Sequence, residues 1–302
     1  MLVYLLILLT LLPAFASVRL ATDHRRAFHR VLAAIALACF IYLYGAWVYL
    51  SAYTGYFFGL VFLLALALGF RKNQKGGKQS ALLSWIVTLV AGTLSVLYYT
   101  GTGSVPEAVE LQFPLRQGSY FILQGGKGLP ANLFHYSYRG ASYAIDLVRL
   151  DKSGRRASAV FSSRLDDYFI FNDTIYSPCD GLVKQARDGN RDNIPPDRTR
   201  GPSNTNAVLI ENDSSYVFLG HLRHWGVFVK EGMQLRAGQP LGLVGNSGFS
   251  LEPHLHIQAH KRSGTGRPWY QEPAMHIHFD GKAYLLFQTI RPRRVEMVKE
   301  NQ

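Results

Sequence analysis

Four apolar segments fill the first hundred residues of this chain, at residues 1–17, 31–50, 53–70 and 81–100. None of them contains a charged residue, and each approaches the ~20 residues that an α-helix needs to cross about 30 Å of hydrocarbon. Four such segments without a polar face disfavour the core helices of a soluble domain. The sequence therefore predicts a transmembrane region at residues 1–100 with four helices, about 1–17, 31–50, 53–70 and 81–100.

Basic residues in two connecting loops predict the orientation of these helices. Loop 18–30 carries four arginines, and loop 71–80 carries one arginine and three lysines. Positively charged loops stay on the cytoplasmic side. Both loops can be inside only if the N-terminus and everything after about residue 101 lie outside. Ala14 to Ala16 also resemble a signal-peptidase site, but no basic segment precedes them, and cleavage would leave the arginine-rich loop outside. An uncleaved first helix is favoured.

The net charge of +12 does not indicate nucleic-acid binding. The first hundred residues hold eight Lys/Arg and one Asp, so +7 of the excess belongs to the short loops of the apolar region. The remaining +5 fits an anionic polymer such as a cell wall, and ordinary surface solvation explains it equally well. Cys39 lies in an apolar segment and Cys179 in the polar part, so no disulfide framework is expected.

From residue 101 onward the pattern indicates a different fold. Short alternating stretches such as 207–211, 216–219 and 226–230 are separated by Gly, Pro, Asn and Asp, which is typical of an all-β domain. We assign residues 101–118 to a linker and lead-in strand, 119–290 to a β-rich domain and 291–302 to a polar tail. Two long polar interruptions, 150–172 and 187–206, are of the length at which loops are usually functional or mobile.

His254 and His256 stand one residue apart in a segment bounded by glycines and Pro253. On a β-strand both side chains point to the same face, and Leu255 points into the core. An isolated pair of this kind is more often two satisfied polar residues than a metal site. Three further candidate residues along the chain favour a metal site instead: His135, Asp146 and His221.

A turn at Gly140 and Ala141 would place His135 opposite Asp146 on an antiparallel hairpin, with Cβ atoms roughly 4.5–5.5 Å apart. His135, Asp146 and His256 could then share one Zn²⁺ and leave one tetrahedral position open, which marks a catalytic site. His221 follows a strand, and with His254 it could transfer protons and stabilise an oxyanion. Amide hydrolysis is the expected chemistry.

Several segments resemble the lysostaphin-type zinc endopeptidases, which cut peptidoglycan peptides. They are residues 143–147 (YAIDL), 176–183 (YSPCDGLV), 220–222 (GHL), 230–245 and 246–257 (NSGFSLEPHLHI). The resemblance covers roughly residues 130–260 and implies a twisted antiparallel sheet with a groove. It also implies Asp146 and His256 as zinc ligands and His254 and His221 as catalytic residues. The whole chain is then expected to be four N-terminal transmembrane helices followed by this all-β domain.

One position departs from the family pattern. Members commonly carry a His four residues before the Asp, and this chain has Ser142 there. Asn132 to His135 resembles a stretch found upstream in one branch of the family. We therefore expect His135 to supply the missing ligand.

The resemblance implies a membrane-anchored zinc metalloendopeptidase that acts on peptidoglycan cross-links or stem peptides. It would lie in a bacterial cytoplasmic membrane as a multi-pass protein with its peptidase domain on the periplasmic side. Expected partners are peptidoglycan peptides, the lipid bilayer and regulatory membrane or wall proteins, with no nucleic acid. An inactive module that binds the wall or activates wall amidases is the alternative, because Ser142 suggests decay of the site. A sensor or transporter accessory role ranks last, because the apolar segments contain no charged residue.

Three other features are expected to be structural. His276 and His278 form a second pair at the same spacing, but no Asp or glycine loop accompanies them. His260 shares a strand face with His256 but lies about 13 Å along the strand, too far to bind the same ion. Cys179 replaces a small residue in a turn.

Overall fold

The computed structural model describes residues 2–23, 27–71, 81–104, 107–136, 140–197 and 201–292. Several predicted features therefore fall outside the described residues: most of the basic loop at 71–80, Arg25 and Arg26 of loop 18–30, part of loop 187–206 and most of the tail at 291–302.

The first hundred residues form four helices, α1 (Leu2–Thr22), α2 (Phe28–Tyr44), α3 (Thr54–Arg71) and α4 (Ala81–Thr100). Of these, α1 and α4 are long and apolar enough to cross a membrane, by length and composition. The apolar parts of α2 and α3, Phe28–Tyr44 and Thr54–Phe70, are shorter. The four predicted helices are present, and two of them meet the length expected of a membrane span. α2 ends at Tyr44, six residues before the predicted boundary at residue 50. The residues that follow form a 3₁₀ turn at Trp47–Tyr49.

Beyond the helices the described chain is built almost entirely of strands. They are β1 (Ala108–Leu111), β2 (Ser119–Gln124), β3 (Ile145–Leu150), β4 (Thr174–Tyr176), β5 (Gly181–Arg187), β6 (Ala207–Glu211), β7 (Ser215–Gly220), β8 (Leu222–Val227), β9 (Gln234–Leu235), β10 (Pro240–Val244), β11 (Leu255–Lys261), β12 (Ala274–Phe279), β13 (Lys282–Ala283) and β14 (Thr289–Ile290). A four-residue helix, α5 (Leu133–Tyr136), lies between β2 and β3.

The main sheet runs in the order β14-β2-β3-β11-β7-β6-β5-β9, and β12 extends it beside β11. A second sheet has the order β4-β10-β8. The pairs are antiparallel except for β1 with β12, which is parallel. This confirms the expectation of an all-β antiparallel domain. The largest apolar cluster lies between the two sheets and includes Leu219, Leu222, Leu241 and Leu255, none of which is exposed to solvent. Strand alternation directs these residues inward and leaves their neighbours for the outer face.

The helices and the β-domain are in direct contact. Val48, which follows α2, packs in one cluster with Phe121, Leu123 and Val148 of the main sheet. The Tyr98 hydroxyl at the end of α4 donates a hydrogen bond to the Leu286 carbonyl. The β-domain is therefore seated on the helices by apolar packing and by hydrogen bonds.

The second histidine pair lies on β12, as expected for a structural strand. His276 is 3% exposed, and its Nδ1 has no hydrogen-bond partner among the described residues. Burial, and to a lesser degree His278 and Lys127, lower the pKa of His276 to about 4. His278 instead contacts Glu110, with Nδ1 2.8 Å from Oε1. His276 is therefore held neutral by its surroundings.

The low pKa of His276 predicts acid sensitivity. Between pH 6.5 and 4 the unfolded chain binds a proton at this residue that the folded chain excludes, so the free energy of unfolding falls as the pH drops, by up to ~3 kcal/mol. His276→Phe should remove this component, and His278→Phe should keep most of it. Thermal unfolding of the metal-free protein between pH 7 and pH 4.5 measures both. Parallel loss of stability in wild type and His276→Phe would contradict the prediction.

Candidate active site

Strand β11 presents a row of polar side chains on one face. His256, Gln258 and His260 alternate with Leu255 and Ile257, which are fully buried in the core cluster. His254 lies immediately before the strand, and like the rest of the row it is less than 10% exposed. The period-2 pattern of the sequence thus places four polar side chains in one buried line.

Asp146 lies opposite His256 in the register between β3 and β11. Its Oδ1 is 2.9 Å from His256 Nδ1 and 3.6 Å from His254 Nε2, and its Oδ2 is 3.2 Å from His135 Nε2. Burial would raise the pKa of Asp146, but the neighbouring histidines, His135 and His254 foremost, hold it well below the usual value. Asp146 is therefore a carboxylate at neutral pH.

His135 reaches Asp146 by a different path from the predicted hairpin. It lies on α5, and the strand neighbours of Asp146 are Gln124 and His256, so the expected pairing of positions 135 and 146 across a hairpin is wrong. Asn132, one helical turn earlier, holds the His135 ring through an Oδ1 to Nδ1 distance of 3.0 Å. The Asn132 amide group donates to the carbonyls of Ser142 and Ala144, so its oxygen must face His135.

The hydrogen bonds of His135 and His256 leave a nitrogen lone pair on each ring facing Asp146. Because Asn132 Oδ1 only accepts, His135 carries its proton on Nδ1 and turns a bare Nε2 to the carboxylate. His260 Nδ1 donates to the Glu272 carbonyl, so His260 Nε2 accepts from the Gln258 amide. Gln258 Oε1 then accepts from His256 Nε2, which leaves His256 Nδ1 bare.

These residues fit a metal ion. His135, Asp146 and His256 offer ligand atoms that all lie within 4.8 Å of one another. Two bare nitrogens facing a carboxylate would repel it without a cation between them. Metal-binding histidines also commonly donate their second ring N–H to an oxygen acceptor, as both rings do here. Two nitrogens and one carboxylate oxygen suit zinc and leave a fourth position for water or substrate.

His221 and His254 face this cluster from the side. Their ring centroids are 4.5 Å apart, and His221 lies 5.7 Å from His256. His221 Nδ1 is 2.7 Å from the Ser247 carbonyl and His254 Nδ1 is 2.8 Å from the Glu252 carbonyl. Since a carbonyl only accepts, both rings are protonated on Nδ1 and keep Nε2 free. Burial and the neighbouring histidines lower the pKa of His221 well below its usual value, so this ring stays neutral.

The backbone at two positions builds this geometry. His221 adopts φ of 64°, a left-handed conformation that is uncommon for non-glycine residues and is often found at functional sites. Gly248 has φ of 76°, and a Cβ atom there would lie 2.0 Å from Thr205 Oγ1. Only glycine fits this approach, which keeps the Ser247 carbonyl beside His221.

The histidine cluster opens into a cavity of about 1090 Å³. Its walls include Phe134 of α5, Phe161 of the 150–172 insertion, Phe218 and Trp269, and one end reaches Leu6 of α1. Both predicted long loops contribute to the walls. The cavity is large enough to hold several residues of an extended chain.

The structure brings all five predicted site residues together. Ser142 contributes its carbonyl to Asn132 and does not belong to the three-residue metal cluster. Sequence reasoning missed Gln258, although the same alternation that paired His254 with His256 also places it on their face. It also missed Asn132 as the residue that orients His135, although the spacing of three residues would put both on one helical face.

We expect Gln258 to control metal affinity, because it fixes which nitrogen of His256 is bare. Gln258→Leu should weaken zinc binding by about 10- to 100-fold. Gln258→Glu should bind zinc nearly as tightly as wild type, since a carboxylate still accepts from His256 Nε2. Competition with a chelator measures both affinities. Equal affinities for the Leu variant and wild type would show that this hydrogen bond does not orient the ligand.

Comparisons with known proteins bear on the β-domain. Residues 167–268 match the family model of Peptidase family M23, about one third of the chain. The match includes His221, His254 and His256, and it begins after His135 and Asp146. No curated protein matches the chain.

Three solved structures are similar to parts of the chain. A mutant catalytic domain of the prophage-encoded M23 protein EnpA from Enterococcus faecalis is 21% identical, covering 41% of this chain and 71% of its own, with a TM-score of 0.27. The catalytic domain of lysostaphin from Staphylococcus simulans is 18% identical over 51% and 80%, with a TM-score of 0.27. A zinc-containing peptidase from Vibrio cholerae is 17% identical over 60% and 39%, with a TM-score of 0.28.

The family match, together with the three-residue metal cluster, confirms the prediction that the cofactor is Zn²⁺. Residues 167–268 match Peptidase family M23, and this match confirms the resemblance of the chain to lysostaphin-type peptidases.

Proposed function

We propose that this protein is a membrane-anchored zinc metalloendopeptidase that hydrolyses peptide bonds in peptidoglycan cross-links or stem peptides. One observation carries the proposal. His135 and His256 turn bare nitrogens toward the buried Asp146 carboxylate. His221 and His254 each keep a free Nε2 beside it, and the hydrogen bonds behind all four rings fix that arrangement. A purely structural cluster would satisfy these nitrogens with donors. Bare nitrogens instead suit a metal ion and proton transfer.

His135, Asp146 and His256 would hold the zinc ion, and His221 and His254 would act on the substrate. A bound zinc ion lowers the pKa of water and polarises a carbonyl oxygen. His254 Nε2 is free to take a proton from the attacking water and to pass it to the leaving amine. His221 is held neutral by burial with its proton on Nδ1, so its free Nε2 can share the proton of the attacking water and, once protonated there, donate to the oxygen that becomes negative. The Glu252 and Ser247 carbonyls keep both rings in the required tautomer.

The helices support the membrane anchor. Leu5, Leu9 and Leu12 of α1 and Leu82 and Leu89 of α4 are each about half exposed or more. Large apolar side chains in contiguous exposed rows are unfavourable in water and favourable in a bilayer. We infer that α1 and α4 cross a bacterial cytoplasmic membrane, with α2 and α3 packed beside them. The peptidase domain would lie on the periplasmic side, where peptidoglycan and regulatory wall or membrane proteins are accessible.

Zinc stoichiometry tests the ligand set. The full chain in detergent should hold one zinc ion, His135→Ala should lose it, and Ser142→Ala should keep it, because Ser142 offers only its backbone to the site. Zinc retained by His135→Ala would mean that another residue is the third ligand. A folded wild type that holds no zinc would overturn the hydrolase and favour an inactive module that binds the wall or activates amidases.

Hydrolysis tests the catalytic role of His254. His254→Gln should lower the release of soluble peptides from purified peptidoglycan by at least about 100-fold with zinc retained, because its free Nε2 is lost as a base. His278→Gln is the control, since it replaces a distant histidine on β12. Mass spectrometry of the released peptides identifies the bond. Equal rates for wild type and His254→Gln would exclude this role, and a zinc-loaded wild type that releases nothing would favour the inactive module.

A further inference from the structure

A buried ion pair stands directly behind the candidate catalytic base. Arg156, in the 150–172 insertion, is 2% exposed. Its Nε lies 2.9 Å from Glu252 Oε1 and its Nη2 lies 2.7 Å from Glu252 Oε2, so the two groups meet through two parallel hydrogen bonds. This paired geometry fixes both distance and orientation, which a lysine could not do.

Glu252 connects this ion pair to His254. While its carboxylate is held by Arg156, its backbone carbonyl accepts the His254 Nδ1 proton at 2.8 Å. Ser250 Oγ lies 3.0 Å from the same carbonyl and 3.2 Å from His254 Nδ1. The direction of the Glu252 carbonyl decides which ring nitrogen of His254 carries the proton. The ion pair therefore holds in place the group that keeps Nε2 free.

The helical region covers a face of the Arg156 guanidinium. The Tyr49 ring, in the 3₁₀ turn between α2 and α3, lies 4.3 Å from the guanidinium carbon, and Tyr168 lies 5.8 Å from it. Two hydrogen bonds join the same connection to the insertion: Ala52 N to Gly154 O at 2.7 Å and Ser51 Oγ to Ser153 O at 2.6 Å. A guanidinium on an aromatic face is stabilised most where water is excluded.

Stability alone does not account for this arrangement. The desolvation of two charges commonly offsets most of their attraction, and an apolar pair of similar size is often as stable. The pair does impose one geometry, because any rotation of Glu252 or Arg156 leaves a buried charge without its partner. A fixed geometry matters most next to a proton-transfer residue.

We propose that Tyr49 is a positioning residue for catalysis, acting through Arg156 and Glu252 on His254, so that the helical region completes the active site. This inference rests on the proposed function. Without the Tyr49 ring, the Arg156 guanidinium loses a packing contact and can tilt. The Glu252 carboxylate then moves with the guanidinium, and the Glu252 carbonyl no longer holds the His254 proton on Nδ1. That proton becomes free to occupy Nε2. The metal ligands do not take part in this chain of contacts, so zinc should stay bound.

The test compares three variants of the full chain in detergent. Tyr49→Leu removes the aromatic face and keeps apolar bulk, and Tyr49→Phe keeps the ring and removes only the hydroxyl. Tyr53→Leu is the matched control, because it removes a tyrosine of the same connection that lies beside Gly154. Zinc content, kcat and KM on purified peptidoglycan peptides, and the ¹⁵N NMR signals of the histidine rings, which report the tautomer, are measured for each.

We expect Tyr49→Leu to lose at least about 10-fold in kcat, with a much smaller change in KM and full zinc content. Its His254 signals should show a mixture of tautomers. Tyr49→Phe and Tyr53→Leu should keep the wild-type kcat and a single tautomer.

Two results would overturn the proposal: wild-type kcat with a single His254 tautomer in Tyr49→Leu, or equal losses in Tyr49→Leu and Tyr53→Leu. The NMR readout separates this inference from the proposed function. A zinc-loaded wild type that cleaves nothing, combined with a tautomer mixture only in Tyr49→Leu, would reject the peptidase and still show that Tyr49 sets the His254 tautomer. A single tautomer in Tyr49→Leu would reject the positioning role whether or not the wild type is active.

Discussion

The carboxylate of Asp146 is the group around which the site is arranged. A buried anion is costly unless it is paired, and three imidazoles approach this one within 3.6 Å. Two of them turn bare nitrogens toward it, so a cation is needed to complete the cluster. The positions of β3, β11 and α5 can therefore be understood as a scaffold that brings nitrogen and oxygen ligands to one point.

The part of this scaffold that follows from local sequence pattern could be predicted. Alternation along β11 places His254 and His256 on one face and Leu255 in the core, and it would have revealed Gln258 and His260 by the same rule. The path of His135 could not be predicted. It depends on a four-residue helix whose orientation is set by Asn132 donating to the backbone before β3, and no periodicity reports such a contact. The left-handed backbone at His221 is likewise set by its surroundings.

In the helical region, too, local pattern predicts some features and tertiary contacts determine others. Hydropathy identified four apolar segments because composition alone determines them. It could not show that the second helix ends at Tyr44 and that the next residues turn toward the β-domain. That change of direction places Val48 on the main sheet and Tyr49 on Arg156. An aromatic residue at the end of an apolar segment looks like an interfacial anchor in the sequence, and only tertiary structure distinguishes the two roles.

The contacts of Tyr49 indicate which properties of the site the β-domain could keep without the helical region. The proposed zinc ligands are His135, Asp146 and His256, with Asn132 and Gln258 behind them, and all of these belong to the β-domain. In the positioning role proposed for Tyr49, the tautomer of His254 depends in addition on a contact that comes from the helices. A β-domain without its helices could thus bind metal and still lack a His254 ring in the tautomer that leaves Nε2 free. On this proposal metal content and turnover are separate properties, because the ligands lie within the β-domain and the base is oriented through a contact with the helices.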